Sequence, residues 1–329
     1  MEHTCFESVP FASGKVHKII AENVRLDLMN RLYQMMEIQP KRGEYKFPGN
    51  LPVSIERKHI YDVKSTQYLV TEKTDGVRYF MYCTIYDEKK VCMMLDRNAQ
   101  LYLVPLNVYE GLYKGSIFDG ELVKTKEGKY LFNVFDCMHF CGANVMKQGF
   151  HGRFQNVLEL MKMIFPSDKD PFSFKTKGFF FILDFLKAVE FSKDRSYETD
   201  GYIFYSQTAP YVPFRNWTMY KWKPQEDNTV DFVVTKTGVR SEYVFSVFDH
   251  GKDVAIQKVS LDPSIIQVEI EYLFVTGCAQ VVVECKWDPG SQNWMPKNVR
   301  KDKSHGNDMF TFEKTVLNIK ENIQLSDFA

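Results

Sequence analysis

The sequence carries no net charge: 42 Lys and Arg are matched by 42 Asp and Glu over 329 residues. That balance excludes a chain that holds nucleic acid by overall basic excess, so any such partner must be gripped by a local cluster. Cysteine is scarce, at seven (5, 83, 92, 137, 141, 278 and 285), and the odd count gives no disulfide-like framework. Reduced thiols in an intracellular protein are the simpler expectation. No apolar run nears the length of a membrane span and no basic-then-apolar leader opens the chain. A soluble, non-secreted protein without a membrane partner is therefore expected. Internal repeats, low-complexity tracts and coiled-coil heptads are missing as well.

What is present is apolar and aromatic. The chain is 44% hydrophobic and 15% aromatic, with 27 Phe and 18 Tyr, which favours strands and supplies a sizeable core. Its length suggests two domains. Apolar spacing predicts amphipathic helices over Glu22–Ile38 and Phe150–Phe165, and Phe179–Leu183 reads as a buried strand. Ile117–Val123 reads as strand–turn–strand with Asp119-Gly120 at the turn. The polar stretch Gln225–Asn228 is the best domain boundary. Beyond it Val230–Thr235, Tyr243–Phe248, Val254–Val259, Val268–Phe274 and Val281–Cys285 read as five strands within about 60 residues, the rhythm of an OB-type barrel. Asn307–Ile323 reads as a terminal helix capped by Asn307.

One stretch organises the rest: Glu72-Lys73-Thr74-Asp75-Gly76-Val77-Arg78, between the apolar runs Tyr68–Val70 and Tyr79–Tyr86. Both runs read as strands of a hairpin, with Asp-Gly turning the chain between them. A lysine nucleophile must be held still and partly neutral, since an ordinary pKa of about 10.4 leaves about one in a thousand uncharged near pH 7. Nearby cations and exclusion from water lower that value. A hairpin with a solvated lysine accounts for these seven residues equally well. Further charged clusters recur at strand ends: Asp96-Arg97, Asp119/Glu121, Asp200, Lys221/Lys223 and Arg300-Lys301-Asp302-Lys303. Together they hold the parts that nucleotidyl transfer needs: a lysine to attack an α-phosphorus, cations for phosphate charge, and carboxylates for Mg²⁺.

Lys73-Thr74-Asp75-Gly76-Val77-Arg78 resembles motif I (KxDGxR) of the covalent nucleotidyltransferases, the superfamily of mRNA capping enzymes and polynucleotide ligases. The remaining motifs follow in the family's order: Asp119–Leu122 resembles motif III, Tyr130–Asp136 motif IIIa, Asp200–Ile203 motif IV, Tyr220–Lys223 motif V, and Trp294 with Arg300–Lys303 motif VI. Thr74 after the lysine and Trp294 ahead of motif VI are similar to mRNA guanylyltransferases. Overall length and Val53–Lys58 resemble the compact capping enzymes of chlorella viruses.

The resemblance implies an α+β protein. Residues 1–224 would form a nucleotidyltransferase domain of antiparallel sheets with flanking helices, and 230–311 an OB-fold β-barrel lid. The terminal helix, 312–329, would pack back on the first domain. It implies that Lys73 becomes bonded to GMP from GTP and passes it to the 5′-diphosphate end of RNA, with Mg²⁺ or Mn²⁺ as cofactor. Arg78 would sit by the sugar and help lower the lysine pKa; Thr74, Arg97 and Glu121 would also contact the nucleotide. Phe135 would stack on guanine, and Lys177 would read its O6. Lys221 and Lys223 would address the α-phosphate; Arg300, Asp302 and Lys303 would reach the outer phosphates. Asp200, with Glu121, would hold the metal. A separate RNA triphosphatase and cap methyltransferase are the expected partners of a monomer at work in the nucleus or at a viral replication site. The rivals are an ATP-dependent DNA or RNA ligase and a non-catalytic OB-containing binding module. Cys137-Met138-His139-Phe140-Cys141 offers three soft ligands but has no second pair, which argues against zinc. Trp217, Trp222, Trp287 and Trp294 could stack on RNA, though packing is the default for tryptophans on strands.

Overall fold

The computed structural model describes residues 5–41, 43–65 and 67–329. Its first strands are β1 (Phe6–Phe11), β2 (Gly14–Ile19), β3 (Asn50–Ser54), β4 (Tyr68–Thr74), β5 (Val77–Tyr86), β6 (Lys89–Leu95) and β7 (Leu101–Leu103). Next come β8 (Ser116–Lys124), β9 (Tyr130–Phe140), β10 (Ala143–Asn144), β11 (Ser173–Thr176), β12 (Phe180–Phe181), β13 (Thr199–Ser206) and β14 (Phe214–Trp222). The last are β15 (Thr229–Lys236), β16 (Glu242–Asp249), β17 (Lys252–Ser260), β18 (Val281–Asp288) and β19 (Asn293–Val299). The α-helices are α1 (Glu22–Met35), α2 (Ile60–Val63), α3 (Phe150–Met163), α4 (Phe185–Lys193), α5 (Ile265–Val275) and α6 (Met309–Glu321). The protein is α+β; its described ladders run antiparallel, with β11 parallel to β9. Two units emerge. The first holds Met1–Val53, Tyr61–Lys221 and Phe328–Ala329; the second holds Ser54–Ile60 and Trp222–Asp327.

In the first unit a nine-stranded sheet runs β1-β2-β7-β6-β5-β8-β9-β10, with β11 on β9, beside a five-stranded sheet β12-β4-β13-β14-β3. The larger sheet is buried on both faces, which is why Tyr79–Tyr86 is almost continuously apolar and does not alternate. Met81 and Cys83 join Val157 and Leu160 of α3 on one face, and Phe80 and Tyr82 join Leu28, Met29 and Leu32 of α1 on the other. Asp119-Gly120 is not a turn: it lies inside the single strand β8. Phe179–Leu183 is not a buried strand either. It gives the two-residue β12 and a 3-10 turn, with Phe181 and Leu183 exposed.

The second unit is a five-stranded antiparallel sheet, β17-β16-β15-β18-β19, around Phe232, Phe245, Val283 and Trp294. Val268–Phe274 is helix α5, not the fourth strand, and β19 supplies the fifth. Ser264 caps α5 by accepting from Gln267 N–H at 3.1 Å. Among the described residues no backbone ladder joins the edge strands β17 and β19, so the expected barrel is open at this edge, as OB folds partly are. A side chain bridges the gap: Gln257 donates to Trp294 O and accepts from Trp294 N–H, both at 2.8 Å. Helix α6 carries Phe312, Val316 and Ile319 onto this core, and Lys314 and Asn318 on it donate to Glu56 Oε1 and Ile55 O, both at 2.6 Å. Only Phe328 and Ala329 rejoin the first unit, Phe328 packing against Phe185 and Phe204. The cap of α6 is Asp308, accepting from Thr311 N–H; the expected cap, Asn307, instead accepts from Asp231 N–H at 2.8 Å.

Candidate active site

Strand β4 ends on Lys73-Thr74 and β5 begins at Val77, yet the two strands belong to different sheets. The lysine corner is thus no hairpin. Asp75-Gly76 carries the chain from one sheet to the other. Gly76 passes so close to β8 that a Cβ there would meet Leu122 O and Val123 Cγ1, both at 2.7 Å. Opposite Lys73 the partner strand β13 is bulged: its register with β4 shifts between Thr199 and Tyr202, across Asp200 and Gly201. Gly201 has φ of 137°, a conformation L side chains rarely adopt. The bulge aims the Asp200 carboxylate at Lys73, whose Nζ donates to Oδ1 at 2.6 Å. Both side chains are partly open, at 22% and 23% exposure.

Across the larger sheet Arg78, Glu121, Asn133 and Lys175 stand opposite one another on β5, β8, β9 and β11, and so share a face. Beyond Asn133 the β8–β9 register slips between Asp119 and Gly120, which leaves Phe135 as the extra residue of a second bulge. The Arg78 guanidinium carbon and Lys177 Nζ each lie 5.5 Å from the Phe135 ring centroid, a cation–π arrangement. Lys177 follows β11, its N–H donating to Val134 O at 3.0 Å. Arg78 is clamped: Nε and an Nη donate to the two oxygens of Asp119 at 2.8 and 2.5 Å, and the other Nη to Asn50 O at 2.7 Å. Tyr211 Oη also donates to Asp119, at 2.7 Å.

Charge and burial set the proton affinities. Burial alone would lower the Arg78 pKa, but the Asp119 carboxylate more than offsets it and holds the group above its ordinary value. Burial pushes the Glu121 carboxyl up, against the pull of Lys177, Lys73, Arg78 and Arg97. Burial pulls Lys177 down, against Glu72 and Glu121. It also pulls Arg97 down, and the like charge of Arg78 adds to that. Arg97 rides on a loop organised by Asp96, which accepts from the N–H groups of Asn98 (2.9 Å) and Gln100 (2.8 Å). Glu72, almost fully buried, accepts from Tyr197 Oη at 3.0 Å. Thr74 Oγ1 and both amide atoms of Asn133 are buried without a hydrogen-bond partner among the described residues.

The second unit holds a cluster of its own. Arg300 forms a fork on Asp302 at 2.9 and 2.8 Å and reaches Asp231 at 3.2 Å, while Lys303 pairs with the same Asp231. Hydrogen bonds from Arg300 bring the Asp302 carboxyl down to about 2. Lys221 and Lys223 flank the boundary between units, on either side of Trp222, whose Nε1 donates to Ile323 O at 2.8 Å.

The family model of the mRNA capping enzyme catalytic domain matches residues 14–225, and that of the capping enzyme C-terminal domain matches 227–329. The chain belongs to the mRNA capping enzyme family. It is a nucleotidyltransferase. Relatives include the mRNA-capping enzyme subunit alpha of Candida glabrata, 26% identical over 93% of this chain and 84% of that one. The same subunit of Yarrowia lipolytica is 27% identical over 94% and 88%. The mRNA-capping enzyme of Danio rerio is 31% identical over 61% of this chain and 39% of its own length. Among solved structures a mycobacterial DNA ligase D complexed with ATP and MES aligns at a TM-score of 0.45 and 13% identity, over 78% of this chain and 96% of that one. That likeness is too loose to decide anything.

Of the residues the capping-family resemblance singles out, the first unit gathers Lys73, Thr74, Arg78, Arg97, Glu121, Phe135, Lys177 and Asp200 around the corner, while Arg300, Asp302 and Lys303 group on the second unit. Arg78 enters as a fixed, charge-compensated wall, not as a bare cation beside the lysine. Residues given no role from sequence include Asp119, Tyr211, Glu72, Asn133 and Asp231. Asp119 stood inside motif III and could have been flagged as the partner of a buried arginine; Tyr211 and Asp231 carry no local signal. Cys137 is buried, its thiol donating to His139 O at 3.5 Å, and His139 Nδ1 lies 3.0 Å from Gly115 O. Each of the seven cysteines is a free thiol. Trp294 is core and Trp217 is exposed.

Proposed function

We propose that this chain catalyses the guanylyltransferase step of mRNA capping. Lys73 Nζ attacks the α-phosphorus of GTP, an N–P bond forms, and pyrophosphate leaves with the electron pair of the broken P–O bond. The GMP then passes from Lys73 to the terminal phosphate of a 5′-diphosphate RNA. The observation that carries this is Lys73 held at 2.6 Å from Asp200, facing a wall of Glu121, Phe135 and Lys177. In that state the amine is half of an ion pair; it becomes a nucleophile on losing a proton and its hold on Asp200. Phe135 offers a face for guanine, and Lys177 a donor that suits O6 and repels the amino group of adenine. Glu121 can accept from ribose hydroxyls, and Arg97 sits beside it. Lys221 and Lys223 would take the α-phosphate; Arg300, Asp302 and Lys303 would take the outer phosphates.

Asp200, with Glu121 as second carboxylate, would hold Mg²⁺ or Mn²⁺. The donor chemistry fits, because a small hard cation is commonly held by one or two carboxylates with substrate phosphate completing its shell. When bound, the metal neutralises charge at the phosphate under attack. One chain supplies all these residues, which supports a monomer as the catalytic unit. The fungal relatives are named subunit alpha, which supports a partner polypeptide for the flanking steps, an RNA triphosphatase or a cap methyltransferase. Among the described residues no helix is long and apolar enough to cross a membrane. The nucleus or a viral replication site is the setting we infer.

Incubating the protein with Mg²⁺ and labelled GTP or ATP tests the reading. A covalent, acid-labile adduct with GTP is expected; an adduct with ATP alone would replace it with the ligase reading.

A further inference from the structure

The first unit also holds a cavity that Arg97 helps to line. It measures about 450 Å³ and is lined by Tyr45, Lys46, Phe47, Leu51, Arg97 and Phe214. That volume lies within the range of about 300–1,000 Å³ typical of small-molecule sites. Three of its walls are aromatic rings. The segment bearing two of them is pinned from the core, since Tyr33 Oη donates to Lys46 O at 2.6 Å and accepts from Lys46 N–H at 2.9 Å. Phe214 has φ of 64°, a left-handed conformation that is a genuine outlier for so bulky a residue, and its N–H donates to Gly49 O at 3.1 Å. The cavity shares a wall with the lysine site. The Phe47 ring centroid lies 5.5 Å from the Arg78 guanidinium carbon, and Arg97 feels the charges of Arg78, Glu121 and Asp119. Among the described residues Arg97 has no ion-pair partner within 4 Å, although Glu121 and Asp119 act on it favourably against the like charge of Arg78.

An aromatic cavity with an arginine in no direct ion pair, at its junction with a guanylate site, suits a nucleoside bearing 5′ phosphates. The GMP base already has a wall of its own at Phe135 and Lys177. We propose that this cavity seats the 5′-terminal nucleoside of the acceptor RNA, its base against Phe214 and Tyr45, with Arg97 drawing the diphosphate toward Lys73. The inference rests on the guanylyl-transfer reading. In the transfer a terminal phosphate oxygen of the acceptor bonds to the guanylate phosphorus and the N–P bond breaks. Lys73 keeps the electron pair and takes up a proton. Stacking is indifferent to base identity, because every base has a π face, so the cavity should accept any first nucleoside. Lys46 and Leu51, at the exposed side, leave room for the chain to continue.

The full-length protein, charged with labelled GMP and mixed with a short 5′-diphosphate RNA, gives the test. Phe214→Leu keeps an apolar side chain but removes the ring; Leu51→Glu places a negative charge on an exposed wall (38% exposure) and does not touch the core. Both should form the GMP adduct from GTP within about twofold of wild type. Phe214→Leu should raise the RNA concentration needed for half-maximal transfer by roughly tenfold, within the range of about five- to a hundredfold that loss of one stacked base brings, and Leu51→Glu should raise it through repulsion of the RNA phosphates. A normal adduct with unchanged RNA dependence in Leu51→Glu would overturn the acceptor site alone. So would equal losses in adduct formation and transfer. No adduct from wild-type protein and GTP would defeat the guanylyl-transfer reading and this one with it.

Discussion

Asp119→Asn tests the wall that backs the nucleotide site. Asp119 has no exposed surface, and its Oδ1 accepts from Arg78 Nε while Oδ2 accepts from an Arg78 Nη and from Tyr211 Oη. The amide keeps the volume but must point NH2 at one of these positions. Turned toward Nε it loses one charge-assisted bond and leaves two donors facing each other; turned the other way it strands an Nη and the Tyr211 hydroxyl instead. Loss of a hydrogen bond to a charged group costs about 1.5–3 kcal/mol. The buried guanidinium is also left without a counter-charge, and breaking such a pair from one side costs about 3–5 kcal/mol in all. For a unit of this size each kcal/mol moves Tm by about 2–4 °C, so Asp119→Asn should melt about 6–20 °C below wild type. Near-UV circular dichroism during heating reads the transition in both proteins. A fall of less than about 3 °C would refute the reasoning, because it would mean the guanidinium finds another partner at no cost. The double variant Asp119→Leu with Arg78→Met removes both charges and should regain most of the stability, since apolar replacement of a buried pair is often neutral. It should not regain the adduct.

Lys73→Arg keeps the cation but offers no neutral amine, so it should abolish the GMP adduct while leaving the melting curve intact. Gly76→Ala pushes a methyl into Leu122 O and Val123 Cγ1; it should cost about 1–3 kcal/mol, read by denaturant titration, and cut adduct yield by shifting the corner. Lys177 titrates below its ordinary value when folded, so in the alkaline window up to that value the native state binds fewer protons than the unfolded chain, and stability there rises with pH. Lys177→Met should remove that rise in melts at successive alkaline pH values and weaken discrimination of GTP from ATP. The Asp302 carboxyl should show an NMR titration midpoint near 2, and Arg300→Gln should return it toward about 3.9. Its modest contribution to stability is present above the ordinary aspartate range and disappears as pH falls toward 2.

Elements whose period and caps agree were legible in the sequence. Glu22–Met35 and Phe150–Met163 fall within the helices expected from apolar spacing. Val268–Phe274 was misread because β-branched and aromatic residues in a short apolar run suit a strand and a buried helix alike. The cue that decides it, Ser264 followed three residues later by Gln267, is a capping signature that precedes the run. Phe179–Leu183 failed for a related reason: five apolar residues in a row do not reveal that Phe181 and Leu183 face outward. Motif order drew attention to Lys73, Glu121 and Asp200, while Asp119 and Tyr211 were passed over. An arginine looks like a free cation until its partners, distant in sequence, are known.

The lysine corner shows why its sequence misled about local structure while pointing at the right residues. Two apolar runs around Asp-Gly satisfy every rule for a hairpin, yet a hairpin would pair β4 with β5 in one sheet and leave Lys73 on its surface. Because Gly76 lets the chain press against β8, the runs separate into two sheets, and the lysine at the end of one faces the wall made by the other. Asp200 and Phe135 reach that space by the same kind of departure, since each is carried on a strand whose register slips beside it. A regular strand aims alternate side chains at fixed faces; a bulge re-aims one of them without disturbing the core that its neighbours hold. Lys73, Asp200 and Phe135 therefore occupy positions where regular pairing is interrupted, and Lys73 meets Asp200 because of it. Straightening the β13 bulge by deleting Gly201 should turn Asp200 away from Lys73 and abolish the adduct while the β4–β13 ladder from Tyr202 to Ser206 persists, which hydrogen exchange on that ladder can measure. Full adduct formation in that deletion would mean the interruption is incidental to the chemistry.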